Sequence, residues 1–106
     1  MIRELEAALA EHRAAPFPAP EVVRGRDYGS VCAVMIDADI YAPSERVSRG
    51  ELPADDRWNW LAECEARLQD SLAEFPEAGR PYYARLLRIA ELAFQRMEAM
   101  APTHAS

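Results

Sequence analysis

The sequence predicts an all-α protein, a three- to four-helix bundle built on a C-terminal antiparallel helical hairpin. Three observations carry that expectation. Residues 55–75 and 81–100 each repeat apolar side chains at helical period. The stretch between them, Phe75-Pro76-Glu77-Ala78-Gly79-Arg80-Pro81, has the Pro and Gly content of a tight helix–helix connection. The composition is 50% hydrophobic and 28% charged over 106 residues, an ordinary globular mix sufficient for one domain with one modest core.

Residues 1–15 read as an N-terminal helix. Ile2, Leu5, Leu9 and His12 fall at i, i+3, i+7 and i+10 on one stripe, and most of the charges lie off it. His12 would close this helix, where a partial positive charge suits the dipole. Three prolines in Pro16-Phe17-Pro18-Ala19-Pro20 forbid continuation, so residues 16–26 are expected to be an extended connector with Phe17 turned inward.

Residues 27–50 allow two readings, because an apolar run such as Val31-Cys32-Ala33-Val34-Met35-Ile36 suits a buried strand or a buried helix. As a strand its partner would be Val22-Val23, and an isolated hairpin is marginal. As a helix it starts near Asp27 or Ser30, kinks at Pro43 and stops at Gly50. The kinked helix is the favoured reading.

The next helix opens near Asp55, a competent cap, with Asp56 also suited to the positive end of the dipole. At about 100° per residue, Trp60, Leu61, Cys64, Leu68, Leu72 and Phe75 share one arc, while Trp58, Ala62, Ala66 and Ala73 form a second face of small residues. In the last helix Tyr82, Tyr83, Leu86, Leu87, Ile89 and Ala90 begin an apolar arc that continues through Ala93, Phe94, Met97 and Met100. So wide a stripe marks the central helix, touching more than one neighbour; Leu92 stands outside it. Residues 101–106 are expected to fray.

The formal charge of −6 argues against a duplex-binding surface. All cations are arginine, as a high-G+C coding bias would produce, so no lysine chemistry is available in cis. Cys32 and Cys64 are too few for a disulfide framework. The charged N-terminal residues do not resemble a signal peptide, and no run approaches the roughly 20 apolar residues of a membrane span. A cytoplasmic protein with no membrane association is expected.

Asp37-Ala38-Asp39 after Val34-Met35-Ile36 resembles the first motif of the haloacid-dehalogenase phosphotransferases, in which the first carboxylate is the nucleophile and the second the acid/base, both holding Mg²⁺. The likeness covers six residues. That family's doubly wound sheet and second cationic and acidic motifs have no counterpart in a chain whose second half is helical. Asp37 and Asp39 are therefore the alternative metal or hydrolase site, set against two carboxylates that meet solvent or arginines. His12 and His104 lack the Glu-x-x-His spacing of a bundle metal centre. No Gly-rich phosphate loop or nucleophile elbow occurs, so no cofactor is expected.

Ile36-Asp37-Ala38-Asp39-Ile40, Trp60-Leu61-Ala62-Glu63-Cys64-Glu65 and Tyr82-Tyr83-Ala84-Arg85-Leu86-Leu87, in that order, resemble small all-helical proteins of high-G+C bacteria. The resemblance implies a helical reading of residues 28–49 and no activity. The function that remains is non-catalytic: an acidic helical module binding another protein or itself, with an inhibitor or immunity-type role as one form. Trp58, Ala62 and Leu92 are the expected interface residues, a large aromatic beside small side chains and a leucine outside the core stripe.

Overall fold

A computed structural model describes residues 2–101, in which four helices enclose a single core. The helices are α1 (Ile2–Ala14), α2 (Ala33–Ser48), α3 (Asp55–Ser71) and α4 (Arg80–Met100). Short 3₁₀ turns, Leu72–Glu74 and Glu77–Gly79, join α3 to α4. The expected tail beyond Ala101, with His104, lies outside the described residues. No helix among the described residues is long and apolar enough to cross a membrane.

Helix α4 is the axis of the domain, packing most extensively on α2, then on α1, and also on its hairpin partner α3. Tyr83, Leu86, Ile89, Ala90, Ala93 and Met97 on α4 are buried, as the wide stripe requires. Leu92 is buried as well, at 2% exposure, so in this fold it is a core residue and no surface contact. Leu92 lies on the Arg85 and Arg96 flank of the projected polar arc, which the packed neighbours cover, while Arg88, Glu91 and Gln95 stay exposed.

Helix α1 contributes Leu5, Leu9 and His12 to the core, the predicted stripe. The connector turns back over the bundle: Val22 is fully buried, its N–H donates to the Pro18 carbonyl at 2.9 Å, and Phe17 packs half-buried against the core. Gly79 faces Val22 so closely that a Cβ there would lie 2.4 Å from a Val22 methyl.

The segment 27–50 divides between both readings. Residues 27–32 form a two-stranded antiparallel hairpin, β1 (Asp27–Tyr28) and β2 (Val31–Cys32), paired Asp27 with Cys32 and Tyr28 with Val31. The helix then begins at Ala33, with Cys32 and not Asp27 or Ser30 at the N-cap. Gly29 at φ +62° fits the first loop position of a two-residue hairpin, a conformation a Cβ disfavours. The hairpin is fastened by Ser71, whose Oγ accepts from the Ser30 N–H at 3.0 Å. Pro43 sits inside α2 without ending it. The end comes as expected at Gly50: its N–H donates to the Val47 carbonyl, and the Glu51 N–H donates to that of Arg46, a Schellman closure.

Helix α3 begins at Asp55 with Ala54 at the N-cap, so both aspartates lie in the first turn, where Asp56 Oδ1 accepts from the Arg57 N–H at 2.9 Å. Its buried face is Leu61, Cys64 and Leu68, followed by Phe75 beyond the helix end. The two tryptophans exchange the roles the projection assigns. Trp58 packs half-buried against the core, whereas Trp60 is 45% exposed. Ala62 is half-buried. At the helix end Arg80 donates to the carbonyls of Phe75 and Ala73, at 3.0 and 3.1 Å, supplying partners that a terminating helix lacks.

Candidate functional site

Two places in the domain concentrate chemistry: a polar cluster joining α1, α2 and α4, and an open seam between α2 and α3.

The cluster is centred on Asp37. The His12 Nε2–H donates to one carboxylate oxygen at 2.8 Å, and the Tyr82 hydroxyl donates to the other at 2.5 Å. Arg85 Nε donates to His12 Nδ1 at 3.3 Å, which assigns the ring proton to Nε2. The imidazole is 4% exposed and lies against Tyr82, with ring centroids 4.4 Å apart. Burial, followed by the hydrogen bond to Asp37 and its charge, pushes the Tyr82 phenol well above its ordinary value of 10.0. An open groove of about 440 Å³ borders the cluster and contains Phe17, Tyr41 and two arginines. Arg24 lies over the Phe17 ring at 4.2 Å, and Arg13 donates to the Tyr41 hydroxyl at 2.8 Å.

The hydrogen bonds of this cluster are made within it: both His12 nitrogens are engaged, and each Asp37 oxygen has its own donor. Each bond links a different pair of helices, which makes the cluster a fastener among α1, α2 and α4. The expectation that the aspartates meet solvent or arginines is replaced for Asp37 by a histidine and a tyrosine. Asp39 lines a different groove with Cys64 and Trp60, and burial raises its carboxyl above the usual range. Side chains two apart on a helix diverge by about 200°, so the alternative pair Asp37 and Asp39 does not converge on one ion. Among the described residues no three His, Cys, Asp or Glu side chains gather as a metal set.

The seam is open. It consists of three grooves of about 220, 270 and 330 Å³ that share walls: Asp39 and Trp60 between the first two, Pro43, Arg46 and Arg57 between the second and third. Its large apolar side chains are left in solvent, Met35 at 60% exposure, Trp60 at 45% and Leu52 at 40%. Val34, also exposed at 40%, faces the other groove, beside His12 and Asp37. Cys64 closes the floor at 2% exposure, and burial, reinforced by the charge of Asp39, pushes its thiol up to about 11. Cys32, half-buried, lines the same groove.

Neither arrangement could be read from the sequence as a site. The one signal for the cluster is His12 on an apolar stripe, since a buried imidazole needs partners. Fold and site together define a small helical bundle with a hydrogen-bonded polar fastener and an open interhelical seam. No protein-family model, no curated protein and no solved structure matches the chain.

Proposed function

We propose that this chain is a non-catalytic protein-interaction module of a bacterial cytoplasm, working through the α2–α3 seam. The observation that carries the reading is the exposure of Met35 and Trp60, on facing helices, along a groove that the chain itself does not fill. Large aromatic and sulfur-bearing side chains with an arginine beside them are the enriched chemistry of interface centres. Arg67 supplies that neighbour, its guanidinium 5.9 Å from the Trp60 ring centroid. The partner is another protein or a second copy, and an inhibitor or immunity-type role is one form of such binding. Of the three interface residues expected from sequence, Trp58 and Ala62 are half-buried and Leu92 is core, so the working aromatic becomes Trp60.

The test is differential capture. Wild-type protein and the Trp60→Glu variant serve as baits in the source lysate, with Glu6→Lys on the exposed side of α1 as a control. A partner retained by wild type and Glu6→Lys but lost by Trp60→Glu supports the reading. Identical capture by all three baits contradicts it. The rival reading, a metal-dependent hydrolase using Asp37 and Asp39, requires excess Mg²⁺ or Mn²⁺ to raise the melting temperature, because specific binding to the folded state stabilises it.

A further inference from the structure

We propose that the occupant of the α2–α3 seam is an acidic amphipathic helix contributed by a different protein. The proposal rests on the reading of the seam as an interaction surface and adds to it the chemistry of what binds there. The chain as a whole is acidic, at −6, yet three arginines stand along this one groove: Arg46, Arg57 and Arg67. Arg67 is held by Glu63 at 3.1 Å, one turn away on the same helix. Arg46 and Arg57 are exposed and make no ion pair within 4.0 Å among the described residues. The carboxylates in the same walls are Asp39, which makes no ion pair within 4.0 Å among the described residues, and Glu51, which lies 3.8 Å from Arg49.

Two guanidinium groups without internal partners beside exposed apolar side chains favour a ligand that carries both features. An apolar stripe would seat against Met35, Trp60 and Leu52, and flanking Asp or Glu side chains would reach Arg46 and Arg57. A furrow between two packed helices is the shape that receives a third helix, with anchors at i, i+3, i+4 and i+7. Helix α2 has 16 residues, a length of about 24 Å, so a segment of about 16 residues spans the furrow. The same charge pattern disfavours a second copy, which would bring the same two unpaired arginines to a two-fold contact.

The probe is a displayed library of random 16-residue peptides, panned on the full chain. The expected enriched peptides are net negative, with apolar residues at helical spacing. Trp60→Glu should abolish their binding, and the double variant Arg46→Glu/Arg57→Glu should weaken it about tenfold or more, with a reduced salt dependence. All three positions are exposed, so thermal melting close to wild type should certify that the variants are folded. Seam-dependent peptides that are neutral or basic overturn the acidic helix and leave the interaction module standing. A wild type that sediments as a dimer, with Trp60→Glu monomeric, also overturns the acidic partner, because a second copy then covers the seam. Failure of any peptide to enrich in a Trp60-dependent manner overturns it too, and differential capture from lysate then decides separately whether the module reading survives.

Discussion

Removing the Asp37 carboxylate should show whether the His12 cluster holds the bundle together. Asp37→Ala leaves two donors without their acceptor, the His12 Nε2–H and the Tyr82 hydroxyl. The histidine is 4% exposed, so its orphaned donor carries a desolvation cost of about 1–3 kcal/mol. The half-buried tyrosine borders a groove and can turn to water, at a cost of about 1 kcal/mol. The expected loss is therefore about 3 kcal/mol, a shift in urea midpoint of about 1.5–2 M for a slope of about 1.5–2 kcal/mol/M. Asp37→Asn keeps the shape and one acceptor, and should cost about half as much. Equilibrium urea unfolding followed by far-UV circular dichroism gives both values. A cycle that adds His12→Ala should return a coupling of at least about 1 kcal/mol, since the two side chains share a bond. If Asp37→Ala unfolds within about 0.5 kcal/mol of wild type, or if the cycle shows no coupling, the cluster is not a fastener.

Other consequences can be measured separately. Gly29→Ala should destabilise the fold by about 2–3 kcal/mol, through its left-handed backbone and a Cβ placed 2.5 Å from Ser71 Oγ. Gly25→Ala, at φ +79° with nothing within 4 Å, should cost only about 1 kcal/mol in the same urea titration. Burial raises the folded-state pKa of Cys64 from 9.0 to about 11 and also raises those of Tyr82 and Tyr83 above 10.0. In each case the folded state holds its proton more tightly than the unfolded one. The stability these groups contribute is thus complete below pH 9.0 and falls as pH rises through about 11. Thiolate absorbance of a Cys32→Ser variant should give a midpoint near 11, and one near 9.0 would place Cys64 in solvent.

Much of the fold was legible because helical period is a local signal. The stripe Leu5, Leu9 and His12, the core face of α4 and the stop at Gly50 all follow from residues within a few turns of each other. What failed depended on distance along the chain. Asp37 meets His12 across 25 residues and Tyr82 across 45, and no periodicity reports such a pairing. The tryptophans exchange roles for a different reason. At about 100° per residue Trp58 and Trp60 flank the Leu61, Cys64 and Leu68 face on opposite sides, each roughly 80° from its centre. The angle therefore does not choose between them, and the packed neighbours do. The hairpin at 27–32 escaped because its strand partner is Asp27-Tyr28, polar and exposed in part, rather than the apolar Val22-Val23. The seam was invisible for a related reason: an apolar residue at helical spacing reads as core until the packed neighbours are known.

Photo-crosslinking in living source cells shows directly whether the α2–α3 seam is the working surface. A benzophenone amino acid replaces Met35, 60% exposed in the seam, or Ala10, exposed on α1. A discrete, heavier adduct is expected from position 35 on illumination, absent from position 10 and lost when Trp60→Glu is added. Adducts of equal yield at both positions, or an adduct at position 35 that persists with Trp60→Glu, would contradict that role.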